Sequence, residues 1–155
     1  MVVIREASLE DAEEILALQK LAYQSEARLY DDWTLPPLMQ AIESLQEEFG
    51  RSIILKAAAG ERIVGSVRAQ CKDDVCAVGR LIVHPSFQRQ GIGSRLLEAI
   101  EARCAAAAGF ELFTGSKSVG NIRLYQRHGY VITRTQPLSA NVSLVFMRKP
   151  GRTPT

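Results

Sequence analysis

Apolar residues recur along this chain at two different spacings, and the switches between them mark out its elements. Residues 2–6, opening on Val2-Val3-Ile4, read as a short strand. Ser8, with Asp11 three residues on, is a looser form of the Ser/Thr-x-x-Glu capping box. Ala12, Ile15, Leu18 and Ala22 then repeat at helical spacing. After "DDWT" a loop leads into a second helix: Pro36-Pro37 suits its first turn, and Leu38, Ile42, Leu45 and Phe49 form one apolar stripe. Residues 52–59, 62–71 and 75–83 read as three strands joined by turns at Gly60 and Asp73-Asp74. Helical spacing returns over residues 91–108, turning Ile92, Leu96, Leu97, Ile100 and Cys104 inward and leaving Arg95, Glu98, Glu101 and Arg103 outside. "FELFTG" is then a short buried strand, residues 118–128 a helix, and "YVITRT" with "VSLVFMRK" a closing strand pair.

This order predicts a mixed α/β sheet with helices packed on it, in a single domain over residues 1–150 followed by a flexible tail at 151–155. A chain of 155 residues suffices to bury a core, and 46% hydrophobic with 23% charged residues is ordinary globular composition. A net charge of +2 without a clustered basic face argues against a nucleic-acid partner. The start "MVVIREASLEDAEE" turns acidic at once, unlike a signal or transit peptide, and no apolar run nears the roughly 20 residues of a membrane span. A cytoplasmic protein without membrane attachment is expected. Cys71, Cys76 and Cys104 are an odd number of thiols. The first two face each other across the Asp73-Asp74 turn, which suits a disulfide, but a reducing compartment opposes one. His84 and His128 are the only histidines, so no metal site is expected, and the thiols are taken as reduced and structural.

The stretch "QRQGIG", from Gln88 to Gly93, stands where a strand hands over to a helix. A helix start exposes unpaired N–H groups and the positive end of its dipole, and glycines let a ligand come close to the backbone. Two familiar phosphate signatures fail here. The dinucleotide pattern needs a third glycine where Leu96 stands, and in "GSKS" a serine separates the glycine from the lysine. What fits is Gln/Arg-x-x-Gly-x-Gly/Ala. Preceded by "RLIVHP" and followed by "SRLLEAI", this stretch resembles the acyl-CoA-binding motif of the GNAT N-acetyltransferases, and "NIRLYQRHGY" resembles that family's next motif. The element order is similar along nearly the whole chain.

The resemblance implies a mostly antiparallel sheet with splayed central strands, helices on both faces, and acetyl-CoA as co-substrate without a metal. It implies that the amides of Gln88, Arg89, Gln90, Gly91, Ile92, Gly93 and Ser94 hold the pyrophosphate, and that Leu81, Ile82 and Val83 pair with the pantetheine arm. Ser118 stands where the family often has a cofactor-contacting Asn, with Asn121 three residues on. Either one of these touches the pantetheine or both serve the helix start.

Tyr125 matches the position that often protonates the leaving thiolate, with aromatic packing as the alternative. The general base stays open: "CAVGRLIV" holds no acidic residue, and His84 at the strand end serves either structure or proton transfer. Glu26 and Tyr30 fall in the region that usually lines the acceptor side, as substrate-binding residues or as a solvated helix face. Trp33 and Pro36-Pro37 either shape that pocket or belong to core and hinge. The function implied is acetyl transfer from acetyl-CoA to a primary amine, small or peptidic, by direct attack in a ternary complex. The alternative is a catalytically silent module of the same fold that senses acyl-CoA or binds a partner. A nucleic-acid role for Arg89, Arg95 and Arg127 is opposed by the sparse, mixed charges. A homodimer remains open, with "VSLVFMRK" as an available edge strand.

Overall fold

The structure, a computed structural model, describes residues 1–151. The strands are β1 (Val2–Glu6), β2 (Ile53–Ala59), β3 (Arg62–Lys72), β4 (Val75–Val83), β5 (Gly109–Gly115), β6 (Val131–Pro137) and β7 (Ser143–Pro150). The helices are α1 (Ala12–Ala22), α2 (Gln24–Tyr30), α3 (Pro36–Met39), α4 (Ile42–Glu48), α5 (Ile92–Arg103) and α6 (Val119–Arg127). One seven-stranded sheet runs in the order β1-β2-β3-β4-β5-β7-β6, antiparallel at every step except the parallel pair β4–β5. Among the described residues no helix is long and apolar enough to cross a membrane.

Both faces of the sheet are covered. On one, Leu55 and Ala57 pack with Leu96, Leu97 and Ile100 of α5 and with Tyr125 of α6. On the other, their strand neighbour Ile54 packs with Ile15, Leu16 and Leu18 of α1. The β3–β4 hairpin turns on Asp73 and Asp74, both left-handed with φ of 53° and 64°, the pair of conformations whose twist matches the flanking strands. At the first helix, the Ser8 N–H donates to Asp11 Oδ2 at 2.9 Å, the backbone half of the expected capping box.

Four of the expected elements differ from the structure: the second helix, the α5 helix, β5 and the closing strand β7. The second helix is broken in two, because Gln40 is extended (φ −62°, ψ 130°) between α3 and α4. Its amide is drawn into a polar cluster: Gln19 Nε2 donates to Gln40 Oε1 at 3.0 Å and to the Pro37 carbonyl at 2.8 Å. Arg68, only 4% exposed, donates to Gln19 Oε1, to Gln40 Oε1 at 3.3 Å and to Glu48 Oε2 at 3.0 Å. Helix α5 stops at Arg103, and Glu101 on it is half-buried, accepting from Tyr130 Oη at 2.8 Å and Lys149 Nζ at 2.7 Å. Strand β5 is only half-buried, with Glu111 and Phe113 exposed, because one of its faces lies open beyond the helices. "VSLVFMRK" is no edge strand: β7 is hydrogen-bonded on both sides, and the edges belong to β1 and β6. At the tail, the Gly151 N–H is tied to the Ala108 carbonyl at 2.9 Å, while 152–155 lie outside the described residues.

The Arg68 cluster carries a measurable consequence. Arg68→Met removes the donor to Gln19 Oε1 and leaves the Glu48 carboxylate with the Gln40 amide alone, so stability should fall by about 3 kcal/mol. The urea midpoint should drop with an unchanged slope. A midpoint within error of the parent would mean the cluster contributes nothing net.

Candidate active site

Strands β4 and β5 pair over only three positions, Val75 with Gly109, Cys76 with Phe110 and Ala77 with Glu111. Beyond these they part. Strand β4 is bent at the parting by an extra residue: Ser66 faces Ile82 while Arg68 faces Gly79, and Arg80 in the bulge adopts φ 50°. The freed backbone of β4 from Val78 to Val83 borders two cavities, of about 360 and 210 Å³, that share Tyr23, Glu26, Leu81 and Asn121 on their walls.

The larger cavity is built round the start of α5. Gly91, at φ 79°, is the residue before the helix, and Arg89, at φ 64°, turns the chain into it. The first helical hydrogen bond runs from the Arg95 N–H to the Gly91 carbonyl at 3.1 Å, so the amides before it have no partner within the helix. Leu81, Ile82, Val83, Gln88, Arg89, Gly91, Ile92, Gly93, Ser94 and Asn121 all line this cavity. Gln90 does not: it is exposed and off the wall. Gly120, Leu124 and Arg127 were not anticipated there. A Cβ at Gly91 or Gly120 would meet nothing within 4 Å, so both glycines border open space. Free amides, a helix N-terminus and the cations Arg89 and Arg127 together form a receptor for a polyanion.

The smaller cavity is lined by Tyr125, Tyr23, Glu26, Tyr30 and Arg80, closed on one side by Pro36 and Pro37. The ring of Tyr125 is 7% exposed and meets Tyr130 edge-on at 5.9 Å. Burial raises its phenol well above the ordinary 10.0, and the neighbouring Tyr23 and Glu26 add to the rise. Burial likewise raises the Tyr23 phenol, against the pull of the Arg80 guanidinium.

Tyr30, Ser118 and Glu26 form one directional chain. The Lys117 N–H donates to Tyr30 Oη at 2.8 Å, Tyr30 Oη lies 2.8 Å from Ser118 Oγ, and Ser118 Oγ donates to Glu26 Oε2 at 2.6 Å. Since a carboxylate only accepts, every hydroxyl proton points toward Glu26. Ser118 is therefore placed differently from either expectation. It precedes α6 without making a side-chain cap bond, and at 5% exposure it lines neither cavity. Gly115 is required by the same chain, because a Cβ there would lie 1.9 Å from Tyr30 Oη.

His84 is structural: the Ser86 N–H donates to its Nδ1 at 3.0 Å, Arg62 stands 2.8 Å from its Nε2, and it borders neither cavity. Trp33, 52% exposed under the Arg28 guanidinium, is neither core nor pocket wall. Arg80 and Tyr23 were not anticipated as site residues. A lone Arg within the apolar run "VGRLIV" was a readable signal for the first. Half-buried Arg80 makes no ion pair among the described residues, and its Nε is buried without a partner.

Comparison with known proteins bears on this geometry. The family model for the acetyltransferase (GNAT) domain matches residues 50–132. Over 142 residues the chain is 26% identical to UPF0157 protein YqkA of Bacillus subtilis (strain 168), covering 91% of this chain and spanning 41% of that protein's length. Among solved structures, the ribosomal-protein-S18-alanine N-acetyltransferase of Escherichia coli superposes with TM-score 0.84 at 16% identity, over 100% of this chain and 97% of that one. The PaiA N-acetyltransferase of Thermoplasma acidophilum, in complex with coenzyme A, gives 0.79 at 19% identity, over 97% and 99%. The putative acetyltransferase YncA of Salmonella typhimurium, with its cofactor acetyl-CoA, gives 0.79 at 18%, over 100% and 96%. At these identities the superpositions establish the shared fold.

Proposed function

The chain belongs to the GNAT acetyltransferase family, and from that premise we propose that it moves an acetyl group from acetyl-CoA to a primary amine by direct attack in a ternary complex. The acceptor, in this reading, also carries an anionic group. The observation that carries the proposal is the meeting of two unlike cavities at the parted strands: one is a polyanion receptor, the other a chamber of phenols with one carboxylate and one guanidinium.

Acetyl-CoA supplies an activated acyl carbon and a thiolate leaving group. The amides at the start of α5, with Arg89 and Arg127, bind its phosphates. The freed edge of β4 at Leu81, Ile82 and Val83 offers backbone groups to the amide-rich arm, as to an added strand. Asn121, on both walls, stands where that arm passes from one cavity to the other. Glu26, with one oxygen held by Ser118, has lone pairs left for the acceptor's ammonium and its proton. Tyr125 donates a proton to the thiolate. Half-buried Arg80, which makes no ion pair among the described residues, pairs with the acceptor's anionic group, since a partly desolvated cation gains most from an opposite charge.

The donor side is tested with Gly120→Glu. The position is helical, its φ is not left-handed, and a Cβ there is unobstructed, so the variant should fold at least as stably as the parent. Acetyl-CoA should raise the melting temperature of the parent and not of the variant. An equal rise in both would remove the phosphates from this cavity.

The acceptor side is tested by following thiol release with paired amines, each with and without a carboxylate. The parent should prefer the carboxylate-bearing member, and Arg80→Gln should lower its kcat/KM by about 10- to 100-fold while sparing the other. Glu26→Gln should slow both and leave acetyl-CoA binding unchanged. Acetyl-CoA binding without thiol release on any amine would reduce the chain to a silent binding module.

Tyr125→Phe keeps the ring packed and removes the proton donor, so the chemical step should slow by about 100-fold with little change in stability. Because the phenol pKa lies above its ordinary 10.0, Tyr125 is protonated across the working pH range. Parent and variant should therefore have pH profiles of the same shape below about pH 10. A limb below that pH which vanishes in the variant would contradict the buried placement, and parent-like turnover would reduce Tyr125 to packing.

A further inference from the structure

The far end of β4 from the cleft holds a cluster that nothing in the acyltransferase reading uses. Lys72 and Val75 close the two-residue turn, so Cys71 and Cys76 are the next cross-strand pair, with side chains on one face of the hairpin. Cys104, where α5 ends and the chain turns back toward β5, stands over that same face. The three Sγ atoms lie within 4.8 Å of one another. All are free thiols; Cys76 and Cys104 are buried, and Cys71 is exposed, which gives a route in from solvent.

We propose that these three cysteines form a binding site for a soft d10 metal ion that accepts three sulfur donors, with monovalent copper or cadmium as the fitting cases. Thiolates select soft ions, and the donor set decides among them. Zinc prefers four ligands, and among the described residues no His, Asp or Glu joins the group. A metal–sulfur bond of about 2.3 Å sets sulfurs in a regular site just under 4 Å apart. The cluster therefore needs only a small contraction, and the exposed Cys71 can move to provide it.

Binding replaces three S–H bonds by three metal–sulfur bonds and releases three protons. The complex carries a charge of minus two with a monovalent ion and minus one with a divalent one, partly offset by Arg103 beside Cys104. Without an ion, burial holds the Cys76 and Cys104 thiols protonated, raising both above their ordinary range, and for Cys76 its two sulfur neighbours add to that. No oxidant or reductant takes part. The ion would tie the β3–β4 hairpin to the end of α5, beside the three residue pairs that join β4 to β5.

The test is anaerobic titration of the full chain with Cu(I), Cd(II) and Zn(II) in parallel, following protons released, thiol alkylation and melting temperature. Cu(I) and Cd(II) should each bind at one equivalent, release three protons, protect all three cysteines and raise the melting temperature. Cys104→Ala should weaken binding by roughly 100-fold or more, and so should Cys71→Ser, whose exposed position tolerates the change if the buried variant fails to fold. Acetyl-CoA binding should be the same in Cys71→Ser as in the parent. Protection of Cys71 alone, no stoichiometric binding of either soft ion, undiminished binding in the variants, or equally tight zinc would each overturn the proposal.

Discussion

The early parting of β4 from β5 is the constraint on which the rest of this structure depends. Sheet hydrogen bonds are normally continued as far as two strands run together, because a buried backbone group without a partner is costly. Here pairing ends after three positions, although β4 continues to Val83 and β5 to Gly115. The groups left free need a partner of another kind, and both cavities border that stretch. The Arg80 bulge belongs to the same device, since it bends β4 where it leaves its neighbour.

A gap in a sheet stays open only if its surroundings hold their places without it. Two polar braces do this. Arg68, reaching from β3 to Gln19, Gln40 and Glu48, ties α1, the α3–α4 break and the sheet together, and so sets the Pro36-Pro37 wall of the smaller cavity. The chain from the Lys117 amide through Tyr30 and Ser118 to Glu26 ties α2 to the start of α6. Both override a local tendency. Gln40 leaves helical geometry within an apolar-periodic stretch, and Ser118 gives up its capping bond. Such sacrifices mark where tertiary demands exceed local preference.

The charges follow the same division. The larger cavity is bordered by the cations Arg89 and Arg127 and by the amides at the start of α5. In the smaller cavity, a phenol is held neutral by burial, a carboxylate accepts from the Ser118 hydroxyl, and a guanidinium makes no ion pair among the described residues. A phenol, a carboxylate and a guanidinium side by side in one chamber suit proton transfer and the binding of charged groups. The thiol cluster lies outside this arrangement, where hairpin and α5 converge.

By itself the sequence determined the strands, α1, α5 and α6, the hairpin turn, the glycine-bearing start of α5 and the family, because these rest on period, turn chemistry and contiguous motifs. Most residues on the wall of the larger cavity were legible for the same reason: they belong to one stretch from Leu81 to Ser94. What only the tertiary structure decided involves residues far apart in the chain. The break at Gln40 depends on Arg68, the role of Ser118 on Glu26 and Tyr30, and the need for Gly115 on the Tyr30 hydroxyl. Arg80 lines the smaller cavity where β4 bends, Tyr23 joins it from the junction of α1 and α2, and Cys104 meets Cys71 and Cys76 because α5 ends above their hairpin. A one-dimensional pattern reports the neighbours a residue has along the chain. Side-chain hydrogen bonds and burial energies depend instead on neighbours that only packing brings together, and those decided the smaller cavity.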